Sequence, residues 1–169
     1  TYGFMQDGTL LCCYTQEGDW QLASINLDTL ALTNMDTDYV EISAIACNND
    51  AAVFLGAASE RFEELTLFNQ NTLQVLCRAG DQAPGQEYLS PPQAFSFPVT
   101  EKELAHGFYY APKNKDFSGP PATAPPLIVM CHGGPTGATS KALNLKIQFW
   151  TSRGFGVLDV NYGGSTGYG

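Results

Sequence analysis

Over the first ninety or so residues, apolar positions come in short runs separated by turn residues, with no sustained helical period. Such runs predict antiparallel strands, because side chains on a strand alternate between its two faces. The candidates are Leu10–Tyr14, Gln21–Leu27, Ile42–Cys47, Ala52–Leu55, Glu64–Asn69 and Leu73–Arg78. The pattern also repeats. Asp7-Gly8-Thr9-Leu10-Leu11-Cys12 aligns with Asp50-Ala51-Ala52-Val53-Phe54-Leu55 at a shift of 43 residues, and the same shift carries Leu22 to Leu65, Ile25 to Phe68, Thr29 to Thr72 and Leu30 to Leu73. A period of about 40–45 residues with roughly four strands per unit is the signature of β-propeller blades. An ordinary antiparallel sheet with chance similarity is the simpler alternative. Two blades cannot bury their faces alone, so the blade reading implies further blades.

The pattern then changes. Residues 80–98 hold Pro84, Pro91, Pro92 and Pro98 and mark a boundary, which divides the chain into residues 1–92 and residues 93–169. Ala105–Tyr110 predicts a strand. Five prolines between Pro112 and Pro126 predict an exposed loop. Leu127–Cys131 is an unbroken apolar run, as expected of a strand covered on both faces. After the glycine-rich turn His132-Gly133-Gly134-Pro135, Thr139 or Ser140 can cap a helix running to about Arg153, with Leu143, Ile147 and Trp150 on its apolar side and Gly154 as its stop. Phe155–Val160 predicts another strand. Strand, helix and strand with short links predict a βαβ unit in a parallel sheet.

Composition narrows the function classes. The 169 residues are 44% hydrophobic, enough to bury a core, and the formal net charge of −9 repels nucleic acid and anionic membranes. No apolar stretch approaches the roughly 20 residues needed to span a bilayer as a helix. Cys12, Cys13, Cys47, Cys77 and Cys131 are odd in number and lack C-x-x-C spacing. They are expected to be buried reduced thiols rather than disulfides or metal ligands, and a reducing cytoplasm fits them. Nothing in the composition calls for a cofactor. The opening Thr1-Tyr2-Gly3-Phe4 reads as an entry in mid-domain.

The run Leu127–Cys131, the turn His132-Gly133-Gly134-Pro135, the helix, and then Asp159-Val160-Asn161-Tyr162-Gly163-Gly164-Ser165-Thr166-Gly167-Tyr168-Gly169 together resemble the prolyl oligopeptidase family of serine peptidases, nearest to its acylaminoacyl-peptidase-like branch. Phe95–Pro98 through His106–Pro112 is similar to that family's entry into its hydrolase domain. The resemblance is specific over about residues 93–169 and diffuse before them. It implies the last blades of a β-propeller over residues 1–92, followed by the N-terminal part of an α/β-hydrolase domain.

It also implies acyl-enzyme hydrolysis of short peptides, with self-association left open. Acyl transfer develops negative charge on a carbonyl oxygen, and glycines let main chain approach closely enough to aim an N–H at it. By resemblance, the Gly134 N–H is one oxyanion-hole donor, with Gly133 shaping the turn and His132 supporting it. Ser165 satisfies G-x-S-x-G, yet Thr166-Gly167-Tyr168 is a poor start for the helix that a nucleophile elbow needs. The family's motif there is N-Y-R-G-S-x-G-Y-G, with Gly163 standing in place of its arginine, and it describes a loop. Ser165 is therefore not expected to be the nucleophile. The attacking serine, acid and base are expected beyond Gly169, leaving residues 1–169 inactive alone. His106 and Asp159 are expected to be structural. Two other readings remain: a carboxylesterase sharing the oxyanion turn, and a non-catalytic propeller interaction module.

Overall fold

A computed structural model describes residues 1–134 and 136–168, so Pro135 of the glycine-rich turn and Gly169 lie outside the described residues. Among the described residues the fold is mostly β, with three four-stranded sheets and one helix. The first sheet contains β1 (Tyr2–Phe4), β2 (Thr9–Gln16), β3 (Asp19–Asn26) and β4 (Leu32–Met35), and the second β5 (Glu41–Asn48), β6 (Ala51–Ala57), β7 (Glu64–Asn69) and β8 (Thr72–Arg78). Each is an antiparallel meander in chain order.

The 43-residue shift acquires a physical meaning here. Leu11 on β2 and Phe54 on β6 are equivalent under it and both are fully buried; Ala23 on β3 and Thr66 on β7 form a second such pair. Leu11 and Phe54 meet in one core shared between the two sheets, built from Leu11, Cys13, Leu22, Tyr39, Ile42, Ala52, Phe54 and Phe68. At about 25 cal/mol per Å² of apolar surface, each of the larger residues contributes roughly 2–3 kcal/mol by leaving water.

The second sheet also turns a carboxylate inward. Glu64 begins β7 and is 1% exposed. Its Oε1 accepts from Arg78 Nε at 2.7 Å and lies 3.2 Å from Arg61 Nε, while Tyr39 Oη donates to Oε2 at 2.9 Å. Burial disfavours its charge, but these hydrogen bonds and the Arg61 charge outweigh that and hold the carboxyl below its usual range.

The third sheet is mixed, in the order β11 (Leu127–Cys131), β12 (Gly156–Asn161), β10 (Leu104–Tyr110), β9 (Gln93–Pro98). β11 and β12 pair in parallel, and the helix α1 (Leu145–Thr151) connects them. Ile147 of α1 packs on Phe108, Tyr110 and Val157. Gln148 reaches away from that cluster: its Oε1 accepts from Ser90 N at 2.7 Å and its Nε2 donates to Ser90 O at 3.0 Å, fastening the segment that precedes β9.

Three expectations need correction, and the boundary segment gains an element. The helix begins at Leu145, capped by Asn144, whose Oδ1 accepts from Lys146 N and Ile147 N. Thr139 and Ser140 do not cap it because longer-range partners hold their hydroxyls, Asp159 for Thr139 and Glu41 for Ser140. The boundary segment contains a strand, β9, paired with β10 from Gln93 to Pro98. β11 is not covered on both faces, since Leu127 and Val129 remain more than half exposed. Finally, all five cysteines are free, but only Cys13 is buried, and Cys77 and Cys131 are exposed.

Candidate functional site

Residues 132–134 follow directly on the C-terminal end of β11, the end of a parallel strand where α/β sheets carry their chemistry. Gly134 has φ +77, a conformation that L side chains rarely adopt, and a Cβ there would meet nothing within 4 Å. The glycine is thus required by backbone conformation, not by crowding, and it is exposed. Among the described residues, none accepts a hydrogen bond from the Gly134 N–H. Its carbonyl is occupied, because Tyr162 Oη donates to Gly134 O at 2.9 Å and lies 3.1 Å from His132 O.

The loop after β12 holds the turn from below. The Tyr162 ring stacks on the His132 imidazole with centroids 4.3 Å apart and planes within 16°. His132 Nε2 lies 2.7 Å from Ser165 Oγ. The turn is therefore gripped at its backbone carbonyls and its one aromatic side chain. Tyr162 was the residue that sequence reasoning passed over. The available signal was its place at the end of a buried strand, within the same motif as Asn161 and Ser165.

Ser165 and His132 are close enough to resemble a nucleophile and its base. Their surroundings point elsewhere. Ser165 is 1% exposed, so no scissile carbonyl can reach its Oγ. Among the described residues, His132 Nδ1 has only Gly133 O and Tyr162 Oη nearby, each at 3.4 Å, and no carboxylate to orient it. The one buried acid in the neighbourhood, Asp159, accepts the Thr139 hydroxyl; burial raises its pKa against that hydrogen bond and the His132 charge. Turns, not a helix, follow Ser165. A serine-directed fluorophosphonate is accordingly expected to leave Ser165 unmodified, as read by peptide mass mapping after treatment; labelling at Ser165 would reverse this view.

The segment between turn and helix is fixed just as firmly. Asn161, 1% exposed, accepts from Thr139 N at 2.8 Å through Oδ1 and donates to Thr139 O at 3.2 Å through Nδ2, holding both backbone polar groups of one residue. His106 lies away from the turn, with Nδ1 2.9 Å from Ser96 Oγ and its ring stacked on Tyr168. A groove of about 1220 Å³ between the Pro112–Pro120 loop and Thr151–Gly154 lies at the opposite end of β11 from Gly134. At the turn itself, a crevice of about 290 Å³ is lined by Thr136, Thr139, Ser140 and Thr166 from the third sheet's loops and by Thr15, Trp20 and Glu41 from the first two sheets. Among the described residues, no cluster of His, Cys, Asp and Glu could hold a metal ion, and no helix is long and apolar enough to cross a membrane.

No family model matches the chain. Among solved structures, it superimposes on a puromycin-hydrolysing peptidase of Mycobacterium tuberculosis with a TM-score of 0.92 and 32% identity, over 99% of this chain and 26% of that one. A Pyrococcus horikoshii acylaminoacyl peptidase, at 22% identity, shares the fold with a TM-score of 0.72 over 99% of this chain and 25% of its own. Among curated proteins, it is 28% identical to dipeptidyl peptidase family member 6 of Caenorhabditis elegans, over 98% of this chain and 22% of that protein. The chain thus spans about a quarter of the length of these relatives. In both sequence and fold the chain is similar to peptidases of the prolyl oligopeptidase family.

Proposed function

We propose that this chain is the segment of a serine-type peptidase in which the last blades of a β-propeller, residues 1–92, pass into the N-terminal part of an α/β-hydrolase domain, residues 93–169. Its contribution to the chemistry is the Gly134 N–H, one donor of the oxyanion hole. Gly133 lets the main chain turn and His132 braces it. The substrate is a short peptide, and the attacking serine, its acid and its base come from residues other than these 169.

The observation that carries this reading is the state of Gly134. An exposed glycine at positive φ, immediately after a parallel strand, has its carbonyl held by Tyr162 while its N–H meets no acceptor among the described residues. A donor fixed in advance suits a developing oxyanion, because nothing need reorganise as charge appears. The tyrosine hydrogen bond and the His132–Ser165 contact supply that fixity. The two meander sheets favour the peptidase reading over a carboxylesterase with the same turn, since a propeller serves to screen peptide substrates and a simple esterase has no use for one.

The test is a structure of the full-length protein inhibited by a short peptide aldehyde. The hemiacetal oxygen is expected about 2.7–3.1 Å from Gly134 N. An inhibitor bound to its serine with that oxygen turned away from Gly134 would remove the assignment.

A further inference from the structure

The stretch joining the glycine turn to α1 is held by residues from both meander sheets as well as by its own. Ser140 Oγ donates to Glu41 Oε2 at 2.5 Å, joining the second sheet across 99 residues of sequence. Lys141 Nζ pairs with Asp19 at the start of β3 in the first sheet, and also lies 5.5 Å from the centre of the Phe108 ring. Leu143 N donates to Ala58 O, just past β6, at 2.8 Å. From the other side come Asn161 on Thr139, the Thr166 N–H to Gly137 O at 3.0 Å, and the Thr166 hydroxyl to Thr136 O at 2.6 Å. Residues 136–143 form a tie between the sheets and the turn.

These contacts differ in what they can hold. Lys141–Asp19 joins side chains that are about a quarter and a half exposed, and such a pair contributes little. Glu41 and Ser140 line the crevice beside the turn and make a short, charge-assisted bond, and Ser140 Oγ also accepts from Ala142 N at 3.3 Å. Ser140 is thereby fixed at both its donor and acceptor sides. The geometry points to Glu41 as a positioning residue: a carboxylate of the second sheet that sets, through Ser140, where the main chain carrying Gly134 lies. Only the consequence for rate rests on the oxyanion reading; the tie itself does not.

Hydrogen exchange in the full-length protein separates the two. In Glu41→Ala and in Ser140→Ala, amides of residues 133–143 are expected to exchange about tenfold faster, the effect of losing one charge-assisted hydrogen bond, while the β6–β7 amides stay protected. The double variant should go no further than either single one, because both remove the same bond. Glu41→Gln, whose amide oxygen still accepts from Ser140, should exchange nearly as the parent does. Should Glu41→Ala fail to fold, Ser140→Ala carries the test from the loop side. Unchanged exchange over residues 133–143, or effects that add in the double variant, would overturn the inference. In peptide hydrolysis, kcat is expected to fall about tenfold in Glu41→Ala with KM within about twofold. Faster exchange with kcat intact would uphold the tie and count against Gly134 as the oxyanion donor.

Discussion

Replacing Phe54 by alanine is expected to lower the unfolding free energy by about 4 kcal/mol, the largest single effect in the two meander sheets. Phe54 is fully buried at the centre of β6, and its ring meets the Tyr39 ring edge-on with centroids 5.7 Å apart and planes at 87°. Truncation removes that contact and the transfer free energy of the ring. It also leaves a void that β6 cannot collapse to fill, because its backbone is bonded to β5 on one side and β7 on the other. Leu11, the equivalent position in the first sheet, lies in the same cluster, so Leu11→Ala should cost about 3 kcal/mol and couple with Phe54→Ala instead of adding to it. Urea titration of the full-length protein, followed by exchange protection within β6, would give these values as midpoint shifts at constant slope. A loss below about 1 kcal/mol for Phe54→Ala would mean that the shared core is not where the sheets derive their stability.

Gly56→Ala is expected to cost about 3 kcal/mol, for the opposite reason. The Tyr39 ring lies flat against the Gly56 Cα, and a Cβ there would sit 2.6–2.7 Å from three of its carbons. The ring has nowhere to retreat. Its hydroxyl donates to Glu64 and lies 2.6 Å from Thr66 Oγ1, Phe54 meets its edge, and the Arg61 guanidinium lies 5.3 Å from its centre. Moving the ring therefore strips a buried carboxylate of one donor as well as creating strain. Tyr39→Ala should relieve the clash, so that Gly56→Ala becomes nearly silent in that background. If the alanine costs as much without the ring, backbone entropy and not this contact explains the glycine. The same network makes the sheet sensitive to acid. Because Glu64 titrates below its unfolded value, its contribution is complete above the ordinary carboxylate range and is lost as pH falls through the folded pKa.

How far the chain could be read in advance follows from how local each signal is. β2, β3, β5, β6 and β7 carry their alternation in their own residues, and the 43-residue shift marks their equivalence before any pairing is known. β4 gives no such signal: Leu32, Thr33 and Asn34 are exposed, and the strand exists only because β3 offers it a ladder. β9, in a proline-rich stretch, is likewise made by its partner. The misplaced helix start shows what competition does. Thr139 and Ser140 are good caps by residue type, but partners 20 and 99 residues away claim their hydroxyls first, leaving the role to Asn144.

The glycine turn was legible because a positive φ leaves its mark in residue choice. The grip on it was not, because Tyr162 and Ser165 reach His132 only after the chain has gone out along α1 and back along β12. In the sequence, the serine of the G-x-S-x-G string is marked as a loop residue by the poor helix start after it and by the motif in which it stands. Its buried position beside an imidazole gives a different and stronger physical ground.

The unbroken apolar sequence of β11 has a consequence for how this polypeptide behaves as a colloid. Sheet borders are ordinarily guarded by lysines, prolines or bulges that discourage a stranger from docking. In residues 1–169 taken alone, β11 ends its sheet with no such guard within the strand and shows Leu127 and Val129 to water instead. In dilute buffer near neutrality, mutual repulsion from the nine surplus negative charges opposes contact between such borders. Added salt shortens the range of that repulsion and acid titrates it away, so dispersal of the molecule in solution is governed by its electrostatics more than by its shape.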